Sequence, residues 1–327
     1  MRSLLAFASL LTAVLATSRT SAPSGCITVG SGATYSTIQA AVNSLSTTST
    51  TAQCIFIEPG SYKEQVTVPS RAAELTFYGY TSDTSSYGDN EVTITNDLAV
   101  ADGLSDEETG TLIVLAANFK MYNINVANTY GDGSQAIALS AYADSGYYAC
   151  QFLGYQDTVL AEEGYQIYAS SYIEGATDFV FGQYSPAWFQ SCDIGVLDAS
   201  LGYITADGRT SSTGTSYYVF NECSIAAASG ASVPSGAYYL GRPWSEYARV
   251  VFQNTAMTDV INSAGWAEWS SSEPNTEDVL FGEYGNTGDG AEGTRASFAT
   301  KLSAAVSIET ILGSDYTSAG YYDSSYF

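Results

Sequence analysis

One short pattern recurs through the middle of this chain and restricts its fold more than any other feature. An apolar residue is followed by two spacers, a small residue, one spacer and a second apolar residue. Tyr147-x-x-Cys150-x-Phe152, Tyr168-x-x-Ser171-x-Ile173, Phe189-x-x-Cys192-x-Ile194, Phe220-x-x-Cys223-x-Ile225 and Phe252-x-x-Thr255-x-Met257 all fit it. Met121-x-x-Ile124-x-Val126 is a weaker, earlier copy. The middle positions advance by 26, 21, 21, 31 and 32 residues. Self-similarity in this range marks a solenoid or a propeller. Between the copies lie short β-rich runs broken by Gly, Asn, Asp and Ser, with no amphipathic helix. That excludes leucine-rich and ankyrin-type repeats, and a propeller blade needs about twice this length. The pattern predicts an all-β fold, a right-handed parallel β-helix in which ~21 residues make one coil and insertions leave it as loops. Cys150, Cys192 and Cys223, with Ser171 in the same column, then face inward as small buried groups, not as reactive thiols.

An open solenoid must cover its ends. Ser36 is placed to cap a helix from about Thr37 to Leu45, whose Ile38, Ala41, Val42 and Leu45 share one apolar face. This helix is expected to plug the N-terminal end. Ser297 to Leu312 is a second helical candidate, with Phe298, Leu302, Ala305 and Ile308 on one side, expected near the other end. No domain boundary interrupts the repeats, so residues 17–327 read as one β-helix domain.

The first 16 residues read differently. Met1-Arg2-Ser3 is a short basic start, Leu4 to Leu15 an apolar run of signal-peptide length, and Val14-Leu15-Ala16 a small-residue cleavage site. The run is too short to span a bilayer, and no later stretch approaches ~20 apolar residues. The expectation is a secreted, extracellular protein, a monomer with no membrane partner. Five cysteines remain after cleavage, an odd number, so at least one is unpaired. Cys26 and Cys54 each precede a short apolar strand, Ile27-Thr28-Val29 and Ile55-Phe56-Ile57. If those strands pair in register at ~4.8 Å, the two cysteines fall within disulfide range. Sequence alone does not decide between a bridge and two thiols.

Composition removes whole classes of chemistry. Histidine is absent, so Ser-His-Asp and Cys-His hydrolysis and His-ligated zinc or haem are excluded. Acid–base work falls to Asp, Glu, Lys, Tyr or Cys. The formal charge of −24 argues against nucleic acid or an anionic membrane as a partner, because such binding rests on clustered cations.

Four polar residues sit one coil apart. Gln135 precedes Gln156 by 21 residues, and Asp157 precedes Asp178 by 21. In a β-helix each pair stacks on one face, which gathers two carboxylates and two amides in one patch. Two carboxylates that close cannot both ionise easily, so one keeps its proton or acquires a cation. Such a stack also arises where polar groups merely satisfy one another on a sheet, and spacing does not separate these readings.

The blocks around these residues resemble the pectinesterase family, the pectin methylesterases of plants, fungi and bacteria. Gly60-Ser61-Tyr62-Lys63-Glu64, Gln135-Ala136-Ile137-Ala138-Leu139, Gly154-Tyr155-Gln156-Asp157-Thr158, Gly175-Ala176-Thr177-Asp178-Phe179-Val180-Phe181-Gly182, Leu240-Gly241-Arg242-Pro243-Trp244, and Gly265-Trp266 with Phe281-Gly282-Glu283-Tyr284 follow the family's blocks in order. Thr177 departs mildly, standing where an apolar residue is usual. The resemblance covers roughly residues 25–300, and the plant enzymes' large N-terminal inhibitor-like region is absent. It implies a parallel β-helix and hydrolysis of galacturonate C6 methyl esters in methyl-esterified homogalacturonan (pectin).

By position in these blocks, Asp178 resembles the nucleophile, Arg242 its ion-pair partner, Asp157 the acid and then base, and Gln135 and Gln156 the oxyanion donors. Trp244, Trp266, Tyr155 and Phe179 are candidates for contact with the sugar chain, with Phe181 beside them; Phe179 and Phe181 are equally readable as core. Neither metal nor cofactor is implied. The alternatives are a β-helical pectin lyase or polygalacturonase and a non-catalytic carbohydrate-binding solenoid.

Overall fold

The computed structural model describes residues 17–327; the signal-peptide reading of residues 1–16 lies outside them. Among the described residues the strands form three sheets of eleven, eight and seven strands, with every neighbour pair parallel. The central coils each contribute one strand to each sheet, as in Ser145–Tyr148, Gln151–Leu153 and Val159–Ala161, and the next coil repeats the three with Gln166–Ala169, Tyr172–Gly175 and Thr177–Gly182. This is the parallel β-helix that the repeats predict.

The recurring pattern is a column at one corner of the coil. Its first position builds an aromatic stack through the core: ring centroids lie 4.9 Å apart for Tyr147–Tyr168, 4.7 Å for Tyr168–Phe189, 4.2 Å for Phe189–Phe220 and 4.4 Å for Phe220–Phe252. These separations follow the interstrand spacing, so parallel in-register pairing itself holds the rings in contact. The residue before each small position, namely Ala149, Ser170, Ser191, Glu222 and Asn254, has a φ between 48° and 56°. A left-handed residue turns the chain sharply from one sheet into the next. The small residue that follows, Cys150, Ser171, Cys192, Cys223 or Thr255, then points into the crowded interior, where all five are buried. Cys150, Cys192 and Cys223 are free thiols. Cys26 and Cys54 are joined, with Cα atoms 4.6 Å apart, because Ile27 and Ile55 pair directly beside them.

The N-terminal helix runs Ile38–Ser44 and buries Ile38, Ala41 and Val42. Its cap is Thr37, not Ser36: the Thr37 side chain accepts from the Ala40 amide at 3.2 Å. Glu64 completes the cap, its two carboxylate oxygens accepting from Ile38 N at 2.8 Å and Gln39 N at 2.9 Å. An anion at a helix N-terminus satisfies amides that have no partner within the helix. Glu64, the last residue of the first family block, is therefore an anchor for the end cover.

The C-terminal expectation is corrected. Helix forms only at Ile308–Leu312, and Ala299–Lys301 is instead the last strand of the long sheet. The apolar spacing of Phe298, Leu302 and Ala305 imitates a helix, but the backbone finds ladder partners on the strand Leu280–Tyr284. The start of the segment lies at the C-terminal end of the solenoid, Phe298 packing on the core with its ring centroid 6.3 Å from that of Phe281, but the short helix does not. Ile311, Leu312 and Tyr321 pack on the outer face of the long sheet against Tyr122, Tyr148, Ile167, Trp188, Val219 and Val251. Tyr148 donates to the Tyr321 carbonyl at 2.6 Å and Tyr122 to Asp323 at 2.8 Å, fixing the tail there.

Candidate active site

The seven-stranded sheet carries the site. A cleft of about 250 Å³ on its outer face is lined by Gln135, Gln156, Asp157, Asp178 and Arg242, together with Asp106, Phe181, Ala206, Trp244 and Trp269. All five polar residues singled out by coil spacing and family blocks thus converge. Ala136 N donates to Gln156 O at 3.2 Å and Asp157 N to Thr177 O at 3.1 Å, so Gln135, Gln156 and Thr177 follow one another up the ladder.

Asp157 and Asp178 both have left-handed backbones, with φ of 63° and 52°. Such conformations cost roughly 1–3 kcal/mol at a non-glycine residue and concentrate where structure serves function. At Asp178 the strand Thr177–Gly182 also slips register against Gly202–Asp207 between Thr177 and Val180. The slip breaks the inward–outward alternation. Phe179 and Val180 both enter the core, while Phe181 faces the cleft. The expectation that Phe179 contacts substrate is therefore corrected: it is fully buried.

Arg242 clamps Asp178 with a two-pronged fork, Nε donating to Oδ1 at 2.9 Å and Nη2 to Oδ2 at 2.6 Å. The guanidinium lies 4.1 Å from the Tyr203 ring centroid and 4.3 Å from that of Trp269. Cation–π contact and the planar fork together leave the group little freedom. Gly241, beside it, lets its strand pair closely with Gly202–Asp207: a Cβ there would stand 2.0 Å from Thr205 Oγ1.

The two carboxyls differ in environment. Asp178 is 6% exposed and Asp157 7%. Burial raises Asp178 above the usual carboxylate range, and the Arg242 hydrogen bonds and charge pull it back. Burial raises Asp157 much further, reinforced by Asp106 and Asp178, with Arg242 opposing. Asp178 therefore ionises first while Asp157 holds its proton, the division that an acid and a nucleophile need.

The aromatic candidates separate. Trp244 lines the cleft, 6.3 Å from Phe181 between ring centroids. Trp266 does not: it is 1% exposed, stacks on Phe281 at 4.3 Å and donates its indole N–H to Glu283 at 3.2 Å. Trp269, three residues on, takes the cleft position instead. Tyr155 lies outside the lining, its hydroxyl donating to the Asp198 carbonyl at 3.3 Å. Sequence reasoning missed Asp106 and Trp269. Neither sits at a coil-repeat position, although Trp269 adjoins the Gly265-Trp266 block.

Carboxylate, protonated carboxyl and two amides in one cleft, on one face of a parallel β-helix, define an enzyme fold equipped for acyl transfer. The pectinesterase family model matches residues 26–320. A pectinesterase of Aspergillus niger is 57% identical over 319 residues, covering 96% of each chain. One of Aspergillus aculeatus is 56% identical over 331 residues, covering 100% of this chain and 99% of that one. The crystal structure of the deglycosylated Aspergillus niger pectin methylesterase superposes with a TM-score of 0.88 at 45% identity, over 95% of this chain and 100% of that one. The carrot pectin methylesterase gives 0.80 at 29% identity, over 93% and 98%. The chain belongs to the pectinesterase family.

Proposed function

We propose that this protein hydrolyses the C6 methyl esters of galacturonate in pectin, releasing methanol and leaving de-esterified pectin. Family membership supports the reaction, and one observation carries the mechanism: the Arg242 fork on Asp178 with Asp157 and two glutamines in the same cleft. Asp178 attacks the ester carbonyl. The oxyanion that forms is held by the side-chain amides of Gln135 and Gln156, each such donor typically worth ~3 kcal/mol. The intermediate collapses as Asp157 gives its proton to the departing methoxide, so methanol leaves and an acyl-enzyme remains. Asp157, now ionised, takes a proton from water as the water oxygen attacks the same carbon. The C6–Asp178 bond breaks, and both carboxyls return to their starting states.

Trp244, Trp269 and Phe181 form the apolar wall against which the sugar chain lies. The substrate is methyl-esterified homogalacturonan, and the protein acts as an exported monomer. Export rests on the basic start and apolar run of residues 1–16. The test is methanol release from methylated pectin, with reducing ends and unsaturated products measured in parallel. Methanol alone supports the reading; new reducing ends favour a polygalacturonase, unsaturated products a lyase, and no product a binding solenoid. Chelation by EDTA is expected to leave methanol release unchanged, because Arg242 already occupies both oxygens of Asp178. A loss restored by calcium contradicts this arrangement.

A further inference from the structure

Asp106 is a third carboxyl in the cleft, and nothing in the mechanism so far uses it. It begins a short turn, Asp106–Thr109, inserted ahead of the strand Leu112–Val114. The turn is firmly held. Ser105 N donates to Glu108 at 2.9 Å, Thr109 Oγ1 donates to the Asp106 carbonyl at 2.7 Å, and Ile137 N donates to Thr109 Oγ1 at 3.0 Å. Ile137 is two residues from Gln135, so the turn that carries Asp106 is tied to the segment that brings the first glutamine to the site.

The Asp106 carboxyl lines the same cleft as that of Asp157 and lies beside it. Its Oδ1 is buried, yet no conventional donor among the described residues reaches it. Two carboxyls side by side in a largely desolvated cleft are stable only with a proton shared between them, since two neighbouring anions there repel without relief. Arg242 is committed to both oxygens of Asp178 and supplies no second fork. The other charged or titratable groups facing the pair are Glu107 on the same turn, Asp178 across the cleft and the Tyr142 phenol. None of them is a cation.

We infer that Asp106 is a positioning residue whose carboxylate accepts the proton of Asp157 in a hydrogen bond, orienting it and keeping Asp157 in its acid form. The inference rests on the acid role proposed for Asp157 above. Burial and Glu107 push Asp106 up and the neighbouring Asp157 pulls it down, leaving it at about 6; burial first, then Asp106, holds Asp157 well above the usual carboxylate range, so the proton resides on Asp157. After Asp157 has given its proton to methoxide, the new charge lies against Asp106. That repulsion makes Asp157 a stronger base for the water that follows.

The test compares wild type with Asp106→Asn, Asp106→Ser and Asp106→Glu. Methanol-release kcat/KM is recorded across pH, and the 13C carboxyl resonance of Asp157, assigned by its loss in Asp157→Asn, is titrated. An asparagine removes the charge and offers Asp157 an N–H donor, both of which favour ionised Asp157. The alkaline limb and the Asp157 titration are expected to move together to lower pH by about one unit or more. Asp106→Glu is expected to restore the wild-type limb, and Asp106→Ser gives the same reading if the asparagine variant does not fold. Superimposable limbs and Asp157 titrations in wild type and the folded neutral variant overturn the inference. Wild-type kcat in Asp157→Asn overturns the acid role itself and this inference with it, which separates the two failures.

Discussion

Arg242 meets Asp178 edge to edge, spanning both carboxylate oxygens at 2.9 and 2.6 Å, while Tyr203 and Trp269 both lie against its guanidinium. The arginine therefore does two things for a buried carboxylate. It offsets the cost of ionisation, and it fixes which way the oxygens face.

Removing it acts on the chemical step. Arg242→Ala is expected to lower kcat on the order of 10²–10³-fold, with a smaller change in KM. Arg242→Lys is expected to recover only part of the loss, since an ammonium on a flexible stem cannot reproduce the fork. Methanol-release kinetics on all three proteins check this, and wild-type kcat in the alanine variant contradicts it.

Trp266 and Trp269, three residues apart, are expected to fail in opposite ways. Trp266 is stacked in the core on Phe281, so Trp266→Ala should cost about 3–5 kcal/mol of stability. Trp269 covers Arg242 at the cleft. Trp269→Ala should leave the unfolding midpoint nearly unchanged and lower kcat/KM on the order of tenfold. Denaturant melts and kinetics on the pair distinguish the roles.

This contrast also marks the limit of what the sequence discloses. Coil spacing alone predicts the solenoid, because each ladder residue repeats with the interstrand register. It also brings Gln135 to Gln156 and Asp157 to Asp178. Family resemblance, not spacing, brings Arg242 to them. Residues outside the ladder escape this logic. Trp269 is set by a local turn in which its amide bonds the Pro274 carbonyl at 3.2 Å and Ser270 N the Glu273 carbonyl at 3.1 Å. Asp106 enters on an inserted turn that has no copy in other coils. Phe179 is ambiguous in sequence because strict alternation fails at the Asp178 register slip. The C-terminal segment imitates a helix in sequence because apolar residues spaced three or four apart also arise where a strand, a loop and a short helix follow one another.

Stability should lean to the acid side. Burial raises Glu162 to about 7 and Asp106 to about 6, both above their ordinary values in an unfolded chain. Between the unfolded and folded values the native state binds more protons, so stability is fully present below the unfolded values and is lost as pH rises through about 6 and about 7. The melting temperature is expected to be higher at pH ~5 than at pH ~8, and Glu162→Gln should flatten the decline. A melting temperature that rises over this interval contradicts the assignment.

The central claim is that Asp178 attacks the ester carbon. Its substitution by asparagine keeps the shape and removes the nucleophile. Initial-rate methanol release from methylated pectin by Asp178→Asn, with folding verified by circular dichroism, tests the claim most directly. The account predicts a fall of at least roughly 10³-fold with the β-sheet spectrum intact. Activity within tenfold of wild type would show that some other group forms the bond to C6.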